Sequence, residues 1–95
     1  MSDDKIRTLH PEGKQGVNIS RAKYDAVHAA ILAALRERDG EIPLQELFRT
    51  VEQNLAGQFE GSVGWYTEAV KLDLEARGVI ERIPGRRPQV LRLRA

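Results

Sequence analysis

Cysteine is absent from this chain, and its absence closes several routes at once. No disulfide framework, thiolate metal site or thiol nucleophile is available, so stability must come from burial. Only two histidines occur, His10 and His28, and neither stands at metal-ligand spacing from a second donor. Aromatic residues make up only 5% of the chain, so an aromatic at a patterned position carries weight. No apolar run approaches the roughly 18 residues needed to cross a membrane. The start, Met1-Ser2-Asp3-Asp4, has neither the basic nor the apolar region of a secretory signal, and a cytoplasmic location without membrane contact is expected. Internal repeats, low-complexity tracts and interdomain linkers are missing too.

What is present fits one cooperative unit. The 95 residues, 41% of them hydrophobic, are enough for one modest core and not for two. The net charge of +1 conceals an asymmetry. Residues 77–95 carry six arginines against Glu81 alone, a local +5, which leaves −4 on the preceding residues. A polyanion is drawn to local potential and not to the sum over the chain, so the basic end is a candidate binding surface.

Periodicity sets out the elements. Lys5–Leu9 and Val17–Ile19 are short β-leaning pieces around a polar run with turn residues, which predicts a hairpin. Ser20 can cap a helix over about 21–38, with Tyr24, Val27, Ile31 and Leu35 at three- and four-residue spacing and Gly40 as its stop. Glu41-Ile42 allows a minimal strand before Pro43 opens a second helix, whose Leu44, Leu47, Phe48, Val51 and Leu55 fall on one face. Gly57–Gly61 breaks that pattern, and Ser62 can cap a third helix from Val63 to Arg77. Gly78 then precedes two strand-like runs, Val79–Ile83 and Gln89–Leu93. Leu35, Phe48, Val51, Val70, Leu74, Ile80 and Leu91 are expected to share one core.

The order α-β-α-α-β-β, with Val70–Arg82 running from helix into strand and Arg86–Leu93 returning, resembles the winged-helix (winged helix-turn-helix) superfamily. The resemblance spans roughly Ser20–Leu93. Over its whole length, including Lys5–Val17 and Gly61–Tyr66, the chain also resembles small bacterial winged-helix-like proteins of unknown function. The fold expected is α+β: a three-helix core with a C-terminal β-hairpin wing, residues 20–95, preceded by a short N-terminal β extension, residues 1–19.

DNA is the partner that the superfamily implies, and the sequence leaves RNA open beside it. The resemblance places Thr67, Glu68, Lys71 and Glu75 on the third helix and Arg82, Arg86, Arg87 and Arg92 on the wing. Lys71 and these four arginines are the candidate nucleic-acid contacts. A helical wheel argues for the wing over the helix. The polar face of the third helix presents Gly64, Thr67, Glu68, Lys71 and Glu75, a formal charge of −1 toward a polyanion. Pro84-Gly85-Arg86-Arg87-Pro88 reads either as a basic contact loop or as a solvated hairpin tip.

A second apolar stripe, Trp65, Ala69, Leu72 and Ala76, lies beside the core-facing one. Burial beneath the N-terminal segment, with Ile6, Leu9 and Val17 as partners, is one destination for it. A homodimer interface around Trp65 and Leu72 is the other, and either is expected to bury Trp65. The leading expectation is therefore a nucleic-acid-binding or transcription-regulatory module that uses the arginine wing, and the alternative is a non-enzymatic protein-interaction module or homodimer of winged-helix fold that does not bind DNA. No enzymatic activity, cofactor, metal or small-molecule substrate is implied. Asp73 and Glu75 point to different helix sides, Ser20 and Ser62 are explained as caps, and Gly13-Lys14 lacks the spacing of a phosphate-binding loop.

Overall fold

Ser20 begins the first helix as its side chain suggests, with Oγ accepting the Lys23 N–H at 3.4 Å, and α1 runs Arg21–Glu37. The computed structural model describes residues 4–94, so the parts of the terminal assignments that fall on residues 1–3 and 95 lie outside the described residues. Ahead of α1, β1 (Lys5–Arg7) and β2 (Asn18–Ser20) pair antiparallel with Ile6 opposite Ile19. The Thr8 N–H donates to Val17 O, and the Val17 N–H donates to Thr8 Oγ1. Glycine is required at position 16, because a Cβ there would lie 1.7 Å from the Thr8 carbonyl oxygen.

α1 ends one residue earlier than its periodicity suggests. The Gly40 N–H bonds to Leu35 O and the Asp39 N–H to Arg36 O, and this crossed pair of bonds closes the helix with Asp39 left-handed at φ 59°. Strand β3 (Glu41–Pro43) follows and includes the proline. As an edge strand it tolerates a residue with no N–H to donate. α2 spans Leu44–Leu55. α3 spans Val63–Ala76, capped where Ser62 Oγ accepts the Trp65 N–H at 3.1 Å. Gly78, at φ 77°, ends α3 with the same crossed pair, Val79 N–H to Leu74 O and Gly78 N–H to Glu75 O.

The closing strands are β4 (Ile80–Arg82) and β5 (Val90–Leu93), and the second sheet has the order β3-β5-β4, antiparallel throughout. The strands are shorter than the sequence implies, yet pairing runs past them. The Ile83 N–H reaches Val90 O and the Arg94 N–H reaches Val79 O. The molecule is thus a small α+β fold of three helices and two antiparallel sheets.

The core lies where α1, α2 and α3 meet the three-stranded sheet. It contains Val27, Ile31, Leu35, Ile42, Leu47, Val51, Val70, Leu74, Ile80 and Leu91, all essentially without solvent contact. Six of the seven residues expected to converge do so. Phe48 does not. α2 turns Leu47 and Val51 inward, one turn apart, and Phe48, about 100° further round the helix, is only partly buried outside the cluster.

A groove between the third helix and the hairpin

α3 packs against α1, α2 and β4, which explains why part of its polar face is turned inward. Thr67 is fully buried and donates its hydroxyl to Val63 O at 2.7 Å. Lys71, expected on the exposed face as a nucleic-acid contact, is only 2% exposed. Its methylene stem is buried while Nζ lies 3.0 Å from Glu75 Oε2 and 3.9 Å from Glu68 Oε1. This corrects the exposure read from the wheel: the Lys71 ammonium is engaged within its own helix and is not presented to solvent.

Asp73 is the buried charge that organises this region. At 0% exposure its carboxylate accepts from the Leu9 N–H at 2.8 Å, from the Tyr24 hydroxyl, and from Arg77 Nε at 2.8 Å. One side chain thus ties the hairpin, α1 and the end of α3 together. Burial, then the hydrogen bond to this carboxylate and its charge, push the Tyr24 hydroxyl up to about 12. The same carboxylate raises the pKa of Arg77 further. His28 stacks obliquely on Tyr24 with ring centroids 5.6 Å apart, in keeping with a boundary position.

The arginines expected on the wing are engaged in different ways. Arg82 Nε binds Glu75 Oε1 at 2.8 Å, and Arg92 Nε binds Glu81 Oε2 at 2.6 Å, with Arg94 at 3.6 Å from the same carboxylate. Arg86 and Arg87 are exposed at the tip and form no ion pair among the described residues. The basic surface implied by the charge count is therefore partly neutralised, while Arg86 and Arg87 at its far end have no carboxylate partner among the described residues.

The outer face of α3 forms one wall of a groove of about 180 Å³, with Trp65, Glu68, Ala69 and Leu72 on the helix side and Leu9, His10 and Val17 among the residues facing them. Trp65 and Leu72 line the same groove, and Trp65 is 50% exposed. Burial beneath the N-terminal segment is thereby corrected for Trp65, whereas Ala69, Leu72 and Ala76 of the same stripe are partly buried. Asp73 holds the Leu9 backbone beside the helix, so the hairpin stands as a second wall and does not close as a lid, and Leu9 itself stays 46% exposed. Tyr66 braces Trp65 edge-on at 5.0 Å and meets Phe59 at 5.1 Å, while Lys23 Nζ lies over the rings of Tyr66 and Phe59 at 5.2 and 5.7 Å.

Sequence reasoning weighed Asp73 only as half of a carboxylate pair and missed its anchoring role. The available signal was its register, three residues after Val70 and seven after Tyr66, which places a lone carboxylate inside the core-facing stripe. Among the described residues no group of three or more His, Asp or Glu is placed to hold a metal ion, and no helix is long and apolar enough to cross a membrane.

Residues 5–91 match a family model described as "Family of unknown function (DUF6958)". No curated protein matches the chain, and no solved structure does.

Proposed function

The chain belongs to the DUF6958 family of unknown function, a membership that brings no activity with it, and we propose that it is a non-enzymatic protein-interaction module of winged-helix type. The element order from α1 to β5 and the three-stranded sheet support the winged-helix part of this reading. The module docks an apolar protein surface in the groove between α3 and the N-terminal hairpin. One observation carries this reading: Leu9 and Trp65, the large apolar side chains left exposed among the described residues, line the same groove. The helix face beside them offers Glu68 and no accessible cation, which suits a protein better than a phosphate backbone.

Trp65 is the single tryptophan, so its emission reports the groove alone. An amphipathic helical peptide with a leucine face is expected to shift that emission to the blue, and Leu72→Glu is expected to abolish the shift. Labelled duplex DNA and single-stranded RNA at low salt are expected to show no saturable change in anisotropy. Saturable nucleic-acid binding without any peptide response would overturn the proposal.

A second reading has its own observation. Arg86 and Arg87 are exposed at the hairpin tip and form no ion pair among the described residues, which supports nucleic-acid binding through the wing with no helix in the groove. On that reading Arg86→Ala and Arg87→Ala each weaken binding and lower its salt slope by about one unit. Binding indifferent to both arginines would remove it.

A further inference from the structure

We infer that the occupant of this groove is a second copy of the chain, so that the working unit is a two-fold dimer in which each copy's Trp65 fills the other's groove. The inference rests on the docking reading above and adds the identity of the partner. A two-fold contact requires one patch to be complementary to itself. Here the projecting group and the recess lie side by side: Trp65 stands half out of the helix wall, and the space between Leu72 and Leu9 opens next to it.

The charges of the two walls fit the same arrangement. The helix wall carries Glu68, its side chain 52% exposed. The hairpin wall continues into Arg7, which is exposed and forms no ion pair among the described residues, and Lys14, which meets only the exposed Glu12 at 3.2 Å. A two-fold axis running along the groove sets each helix wall against the other copy's hairpin wall. Glu68 then approaches the basic hairpin twice over, once from each copy. A helix-to-helix pairing would instead oppose the two Glu68 carboxylates, which is unfavourable.

Sedimentation equilibrium of the full chain over a concentration series tests this. The expected result is a monomer–dimer equilibrium. Trp65→Ala and Leu9→Asp are each expected to raise the dissociation constant by about tenfold or more, as loss of an aromatic or apolar anchor does. Leu9 engages Asp73 through its backbone and not its side chain, so Leu9→Asp carries the test should Trp65→Ala fail to fold. Glu68→Lys is expected to weaken the dimer, and adding Arg7→Glu to restore it.

A chain monomeric at every concentration overturns the second copy as occupant. If the leucine-faced peptide still shifts Trp65 emission, the docking reading stands without it. A dimer whose dissociation constant is unchanged by both apolar variants also overturns the inference, because its interface then lies elsewhere. Failure of the Arg7→Glu rescue removes the helix-to-hairpin arrangement.

Discussion

The backbone N–H of Leu9 donates a 2.8 Å hydrogen bond to the Asp73 carboxylate, fastening the hairpin to the third helix across 64 residues of chain. Because the same carboxylate also receives Tyr24 and Arg77, its loss affects three donors. Asp73→Ala is expected to cost about 2–4 kcal/mol, because the Tyr24 hydroxyl and the Leu9 N–H lose their acceptor while the partly exposed Arg77 turns to water. Asp73→Asn retains an acceptor for Leu9 and is expected to cost less. Hydrogen exchange should show the Leu9 amide losing protection in the alanine variant. A Leu9 amide as protected as before would show that the hairpin is held by something else.

Tyr24 gives the fold a limit at high pH. Its hydroxyl is raised from 10.0 to about 12 in the folded chain, so the folded state keeps its proton after the unfolded state has released one. The stability it contributes is complete below pH 10 and is lost as pH rises from there through about 12. Denaturant titrations across that window are expected to show a decline that Tyr24→Phe reduces. Tyr24→Phe also removes a hydrogen bond to a charged group, for about 1.5–3 kcal/mol at neutral pH.

In the core, Leu74→Ala is expected to cost about 2–5 kcal/mol, since Leu74 is enclosed where helices and sheet meet. Phe48→Ala is expected to cost well under half of that, because Phe48 stands outside the cluster. Equal losses in thermal or denaturant unfolding would show that Phe48 belongs to the core after all.

Gly16→Ala places a methyl group against the Thr8 carbonyl, a backbone atom that cannot swing aside. The expected outcome is a hairpin opened at the Thr8–Val17 pair with the three-helix core intact. NMR should show the Thr8 and Val17 amides becoming exchangeable while those of α1 keep their protection. Full protection of both amides would show that the hairpin absorbs the added atom.

At the end of α1 a gain is expected. Asp39 sits at φ 59° without a glycine's freedom, and Asp39→Gly is expected to stabilise the chain by about 0.5 kcal/mol, relief of the left-handed strain outweighing the added entropy of the unfolded chain. A higher denaturation midpoint at unchanged slope checks it.

The helices were legible in the sequence because each carries local punctuation. Ser20 and Ser62 cap where they are expected to, and Gly78 stops α3. The hairpin at the start and the strand before α2 were legible too, though with looser bounds, since paired strands take their limits from partners far away in the chain. The groove was not legible. A helical wheel separates apolar from polar positions, but it does not say which neighbours a face will meet. Thr67 and Lys71 look solvated on the wheel and are enclosed by tertiary packing, while Trp65 looks like a core residue and is half exposed. The charge count had the same weakness: it registered six basic side chains without showing that Arg82, Arg92 and Arg94 are answered by Glu75 and Glu81.

β5, the last strand in chain order, is the middle strand of its sheet, with Ile42 of β3 and Arg82 of β4 both registered against Leu91. On the ribosome, β3 therefore emerges long before the strand it must pair with, and both flanking strands wait with open edges until residues 90–93 follow. Such non-local pairing slows folding and leaves edges that neighbouring chains can join. A chain cut after Pro88 is expected to scatter light where the intact chain stays clear.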